Sequence, residues 1–174
     1  KKIEKIVVAT TTNHEDDKIE ELVKSFGMDV FRGDEDDVLS RFYFCAQEFG
    51  ITTIIRVNSD CPLSDPGIID DMIEKFDDGI DFLYNYQPRT FPYGMDVEIF
   101  SYEVLKNVWE NASLSSEREH VSPYIYNRPN LFNILNYEYT DDFSKIRIVV
   151  DREKDIMLIR KLVDIIKDRP IRLK

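Results

Sequence analysis

The chain has 174 residues, 43% of them hydrophobic and 12% aromatic, and a formal net charge of −11. That length fits one domain with a substantial core, and that apolar content fits a packed fold rather than a disordered chain. The acidic balance excludes a nucleic-acid partner gripped by counterion release, and no apolar run approaches the roughly 20 residues of a membrane span. The two cysteines, Cys45 and Cys61, make no disulfide framework, so a reduced cytoplasmic setting is expected. Lys1-Lys2-Ile3-Glu4-Lys5 runs straight toward a strand without the apolar region of a signal peptide.

Lys5 to Thr10 reads as a strand buried on both faces. A helix follows with Asp16, Asp17 and Glu20 at its entry and Ile19, Leu22, Val23 and Phe26 at helical spacing, ending at Gly27. Met28 to Phe31 is a short strand. Asp34 to Asp37 opens a second helix that buries Val38, Leu39, Phe42, Tyr43 and Ala46. Ile51 to Val57, mostly β-branched, is a buried strand, and Asp65-Pro66 pairs a capping residue with proline at the first helical position. Asp81 to Tyr86 and Met95 to Phe100 are extended around a proline-punctuated loop. Helices are expected over Ser101 to Asn111 and Ser116 to Tyr126, the second kinked by Pro123. Phe132 to Tyr139 suits an edge strand and Ile146 to Val150 a final buried strand. Arg152 to Lys167 closes the chain as a helix with Ile156, Ile159, Leu162, Val163 and Ile166 inward. Strands alternating with helices, some lacking a crossover helix, predict an α/β fold with a mixed, mostly parallel sheet.

Two carboxylates sit at C-terminal strand tips, where open α/β sheets bind ligands: Asp60 after Ile51 to Val57, and Asp151 after Ile146 to Val150. If the strands are neighbours, the pair suits Mg²⁺, which takes one or two carboxylates, waters and substrate phosphate oxygens. Each has a plainer reading: an Asx-type turn before Pro62 for Asp60, and the N-cap of the last helix for Asp151. No G-x-G-x-x-G, Walker loop, zinc-spaced Cys/His cluster or G-x-S-x-G elbow is present. Arg32, Arg41, Arg56, Arg89, Arg118 and His120 form a basic and polar set suited to phosphate or carboxylate, with Arg56 and Arg89 best placed.

Six stretches carry a family resemblance: Val7 to Asn13, Phe31 to Arg41, Arg56 to Pro66, Pro88 to Glu98, Arg118 to Tyr126 and Val150-Asp151. They resemble the cytidylyltransferases that activate sugars for polysaccharide synthesis, and look closest to the spore-coat polysaccharide branch of the acylneuraminate cytidylyltransferase group. The resemblance implies a single nucleotidyltransferase-like domain over residues 1–174. Its fold would be a three-layer α/β/α sandwich of the nucleotide-diphospho-sugar transferase type. The implied reaction is CTP plus a sugar, an acidic one, giving CMP-sugar and pyrophosphate in a homodimer, with the aromatic loop Phe91 to Tyr93 as a candidate dimer contact or a folded-down lid. By the same likeness Asp60 and Asp151 hold Mg²⁺ and Arg56 joins them in catalysis. Ala9, Thr10, Thr11, Thr12, Arg32, Gly33 and Val38 line the cytidine pocket, while Arg89, Gly94, Asp96, Glu98, Arg118 and His120 face the sugar. Plainer alternatives are an alternating strand for Asp96 and Glu98 and a solvated helix face for Arg118.

Family members open with a strand and a basic loop, A-R-x-G-S-x-R-L-P-x-K, whose backbone N–H groups and charge wrap the CTP phosphates. This sequence carries no such loop, and on the resemblance it is expected to begin where the family's second strand should start. Besides a cytidylyltransferase beginning upstream, two readings follow: a non-catalytic module kept for binding or assembly, and a nucleotidyltransferase for another base or a polyol phosphate.

Overall fold

In the computed structural model, which describes residues 2–166, 172 and 173, strands and helices alternate. They run β1 (Val7–Thr11), α1 (Asp17–Ser25), β2 (Asp29–Gly33), α2 (Val38–Glu48), β3 (Thr53–Val57), α3 (Pro66–Lys75), β4 (Phe82–Tyr84) and β5 (Val97–Ser101). There follow α4 (Tyr102–Asn111), α5 (Ser115–His120), α6 (Pro123–Tyr126), β6 (Ile134–Asn136) and α7 (Glu153–Ile165), and one 3₁₀ turn, His14–Asp16, precedes α1. Two compact units emerge: residues 1–54 with 101–132, and residues 55–100 with 133–174.

The first unit is built on a parallel β1–β2 pair in register Val7↔Asp29 through Thr11↔Gly33, with α1 as the crossover. Of the apolar residues at helical spacing in α1, only Val23 is buried; Ile19, Leu22 and Phe26 are exposed. The N-terminus of α2 is fixed by Asp37, whose carboxylate accepts the Ser40 N–H at 3.0 Å. Trp109 of α4 stacks on Tyr43 of α2 at 4.2 Å between ring centroids, and its indole N–H donates to Ser40 Oγ. The helix expected over Ser116 to Tyr126 is two helices, α5 and α6. They are separated at Val121, which has φ 68° and ψ −61° and is spanned by a Ser122 N–H to His120 C=O bond of 2.8 Å. That is a γ-turn, a conformation rare for a β-branched residue. Glu117, buried beside it, pairs with Arg128 at 2.6 Å.

The second unit holds most of a four-stranded sheet of order β3-β5-β4-β6, with β4 antiparallel to β5 and parallel to β6. The sheet is therefore mixed, as expected. Its core gathers Leu63, Ile68, Met72, Leu83, Phe91, Met95, Val97, Ile99, Ile148 and Ile159. Asp65 caps α3 by accepting the Gly67 N–H at 2.7 Å, and it also takes the Leu173 N–H.

Two expectations for this unit need correction. Ile146 to Val150 is not a ladder strand. Apart from a single parallel bridge between Tyr93 and Arg147, its hydrogen bonds go to loops: Tyr93 N–H to Ile146 C=O, Ile148 N–H to Tyr93 C=O, and Val150 N–H to Asp60 C=O, each 2.8 Å. On α7, Ile159 is buried and Leu162 packs against the core, but Ile156 and Val163 are exposed, and Lys167 lies outside the described residues.

Candidate functional site

Asp60 and Asp151 both belong to the second unit, and the Val150 N–H to Asp60 C=O bond ties their backbones side by side. Asp60 leaves β3 through a turn closed by the Cys61 N–H on Asn58 C=O at 3.1 Å, with the Cys61 thiol 3.3 Å from Asp60 Oδ1. Burial first, then the Asp60 hydrogen bond and the negative charges of Asp60, Asp96 and Asp151, push the Cys61 thiol up to about 12. The buried thiol thus lies against the Asp60 carboxylate.

The capping alternative for Asp151 does not hold. The N–H groups of Asp151 and Arg152 are taken by Asp155, at 3.1 and 3.0 Å, so Asp155 closes the start of α7. The Asp151 carboxylate is left outside the cap, half-exposed and paired with Arg147, which also reaches Asp155 at 3.2 Å. Among the described residues no group of three or more His, Cys, Asp or Glu side chains is assembled to hold a metal unaided. A two-carboxylate, all-oxygen set is the kind that holds Mg²⁺ only with waters and substrate phosphates completing the shell.

Around this pair stands a set of ion pairs on β5 and the loop before it. Arg56, inside β3, meets Glu98 at 2.8 Å, and Tyr86 O–H donates to the same carboxylate at 2.6 Å. Burial works against the Arg56 charge, but Glu98 outweighs it and Asp60 adds to the effect, so Arg56 holds its proton more tightly than an ordinary arginine. Arg89 grips Asp96 through both terminal nitrogens and lies 4.8 Å over the Tyr93 ring, with Arg147 at 5.9 Å from the same ring. Gly94, at φ +108°, lets the loop press on the chain that leads to Asp151: a β-carbon there would meet Ile148 C and Val149 N at 2.9 Å. Asp96 and Glu98 are therefore more than an alternating strand, since each anchors an arginine. In the loop Phe91 to Tyr93, Phe91 and Pro92 are buried, so the folded-down reading holds for them and only Tyr93 is open to a contact.

The residues expected to line the cytidine pocket lie in the first unit. Thr10 and Thr11 hydroxyls donate to Asp16 at 2.7 and 2.6 Å, and with the Thr11 N–H they pull that carboxyl down to about 2. Arg32 donates to Asp17, Glu20 and the carbonyls of Thr11 and Asn13, clamping β2 to the turn before α1. Ala9 pairs with Phe31 in the β1–β2 register, Thr12 N–H bonds Gly33 C=O, and Val38 begins α2. Arg118 is not on a solvated face: it reaches Asp37, Ser40 Oγ and the carbonyls of Trp109 and Ala112. His120 is exposed at the end of α5, beside the Val121 turn.

The residues that sequence reasoning passed over are Tyr86, Cys61, Asp155 and Arg147. Arg147 had a signal: it is the one charged residue in Ile146-Arg147-Ile148-Val149-Val150, as Arg56 is in its strand.

The cytidylyltransferase family model matches residues 1–173. The chain is 37% identical to the "Uncharacterized protein MJ1063" of Methanocaldococcus jannaschii, over 93% of this chain and 67% of that protein. It is 31% identical to the spore coat polysaccharide biosynthesis protein SpsF of Bacillus subtilis, over 95% and 69%. A cytidylyltransferase structure from Leptospira borgpetersenii superposes with a TM-score of 0.90 at 36% identity, covering 93% of this chain and 69% of that one. The structure of a CMP:2-keto-3-deoxy-manno-octonic acid synthetase complexed with CTP shares the fold at TM-score 0.67 and 12% identity, over 93% and 81%. Fold and sequence agree: this chain belongs to the cytidylyltransferase family of nucleotidyltransferases, with the family's mixed α/β fold.

Proposed function

We propose that this chain serves the transfer of CMP from CTP to an acidic sugar, with release of pyrophosphate and with Mg²⁺ held by Asp60 and Asp151. The observation that carries the reading is the Val150 N–H to Asp60 C=O bond, which sets the two carboxylate-bearing tips side by side. The oxygen-only donor set fits a hard cation, and the missing ligands are those a triphosphate and water bring. When bound, the ion would polarise phosphoryl oxygens and neutralise charge on the departing pyrophosphate. Arg56, locked by Glu98 and Tyr86, steadies the β3 tip from which Asp60 projects. Arg89, gripped by Asp96 through both terminal nitrogens and lying over the Tyr93 ring, fixes the loop that would face the acceptor. Binding of the cytosine falls to the β1 turn and the Arg32-Gly33 segment, whose backbone is held rigid by the Asp16 and Arg32 bonds. The apolar surface that Ile156, Met157 and Leu158 expose on α7 supports a homodimer, and two buried, unbridged thiols support a reducing, cytoplasmic setting.

The test is pyrophosphate release from CTP, ATP, GTP and UTP with Mg²⁺ and a panel of sugars. D60N and D151N are each expected to lose about 10²-fold or more of the CTP rate. Equal rates with all four nucleotides, or a CTP rate indifferent to both substitutions, would overturn the proposal.

A further inference from the structure

Beside Asp151 the second unit opens a cleft of about 490 Å³ lined by Tyr93, Arg147, Asp151, Arg152, Lys154 and Asp155. We infer that this cleft is an anion subsite, taking the carboxylate or phosphate group of a small polar ligand that also reaches Asp151. The inference rests on the nucleotidyl-transfer reading and adds to it a place for one charged group. Three cations face two carboxylates there, in a chain of net charge −11. The two carboxylates are already committed: Asp155 is buried under the start of α7 and accepts two backbone N–H groups, and Asp151 is paired with Arg147. Among the described residues neither Arg152 nor Lys154 is ion-paired, so their charge faces the opening uncompensated. The volume suits a monosaccharide or a pyrophosphate and is too small for a macromolecule.

The cleft has a built wall. The Tyr93 ring carries Arg89 at 4.8 Å and Arg147 at 5.9 Å, and the Tyr93 backbone is bonded to Ile146 and Ile148. Its pair with Asp155 keeps Arg147 at the opening even if Asp151 releases it. A cation taken up by Asp151 would free the one Arg147 nitrogen that Asp151 holds, the other staying on Asp155, so anion binding and Mg²⁺ binding should strengthen one another.

Two sources share this chemistry, the acceptor sugar's acid group and the leaving pyrophosphate. The experiment is calorimetry on the full chain with Mg²⁺, using glucuronate, glucose and inorganic pyrophosphate as probes. Wild type is compared with R152A/K154A and with the milder K154Q. The double variant is expected to bind an anionic probe about tenfold more weakly, as the loss of two partly exposed charge contacts implies, while glucose is unaffected. Loss for glucuronate alone assigns the cleft to the acceptor, and loss for pyrophosphate alone assigns it to the leaving group. Failure of both anions to bind wild type, or unchanged anion binding in both variants, overturns the inference. CTP affinity and pyrophosphate release, measured on the same proteins, report separately on the nucleotidyl-transfer reading.

Discussion

Replacing Gly94 by alanine tests whether the loop over the candidate metal site is held by close backbone contact. At φ +108° an L-residue carries backbone strain of roughly 2 kcal/mol. The new β-carbon would also stand 2.9 Å from Ile148 C and Val149 N and 3.1 Å from Ile148 O. These are backbone atoms, so no side-chain rotation relieves them, and overpacking of this kind costs roughly 2 kcal/mol more. The expected destabilisation is about 4 kcal/mol, against the roughly 5–15 kcal/mol of a typical domain. Gly27→Ala is the control: φ is +71° there, but nothing lies within 4 Å of the β-carbon, so about 1 kcal/mol of conformational cost is all that remains. Trp109 belongs to the first unit and Gly94 to the second, so tryptophan fluorescence is the wrong probe. Urea unfolding by circular dichroism, joined to hydrogen exchange at the Ile148 and Val150 amides, reads the right region. With a slope of about 2 kcal/mol/M, the midpoint should fall by about 2 M for Gly94→Ala and about 0.5 M for Gly27→Ala. The relief available to Gly94→Ala is a shift of 148–149, so its Val150 amide, bonded to Asp60, should also lose protection. Equal midpoint shifts for the two variants would refute the argument.

The Asp16 carboxyl, pulled down to about 2 chiefly by the Thr10 hydroxyl, stabilises the fold fully above its ordinary value near 3.8. That contribution is lost as pH falls through about 2. Thr10→Val should return the Asp16 titration toward 3.8, read by carboxyl-carbon NMR, and an unmoved titration would contradict the geometry. Arg128→Ala leaves Glu117 buried without its cation. About 2 kcal/mol should be lost, below the range for wholly buried pairs because Arg128 keeps a third of its side chain in water, and denaturant unfolding measures it. Burial lifts Cys45 to about 11, and burial with the Asp60 bond lifts Cys61 to about 12, so both thiols stay protonated at pH 8. Iodoacetamide should therefore leave the native protein unmodified for hours at that pH and alkylate both sites in urea; rapid native alkylation of Cys61 would mean that its thiol is not buried against Asp60.

What was readable in the sequence was local. The Asp65-Pro66 cap and the β1–α1–β2 alternation follow from propensity and periodicity, and both stand in the structure, while of the acidic entry expected over Asp34 to Asp37 only Asp37 caps α2. What was not readable depended on which backbone groups meet across the chain. Ile146 to Val150 has a strand's composition, yet its N–H and C=O groups are used by Tyr93 and Asp60. Asp151 sits where a cap is expected, but Asp155, four residues on, has the reach to take both N–H groups, and the competition between two nearby carboxylates has no signature in residue type. Nothing in Arg118 to Tyr126 announces a γ-turn at Val121, because Pro123 gives a sufficient reason for a kink two residues later.

The arginines show why residue type points to a site more readily than it points to a role. Arg32, Arg56, Arg89 and Arg118 were singled out as phosphate or carboxylate readers, and each is bound to an acid of its own unit: Asp17 and Glu20, Glu98, Asp96, and Asp37. In a chain with 34 acidic and 23 basic residues, an arginine near a turn finds an internal carboxylate before it finds a ligand. Within each unit these pairs fix backbone, the turn that carries Thr11 in the first and the segments that carry Asp60 and Asp96 in the second, and are not themselves offered to a ligand. Charge available to a ligand must then come from cations whose neighbouring acids are already used. Arg152 and Lys154 meet that condition because Asp155 is spent on the start of α7, and their helical setting gave the sequence no reason to single them out.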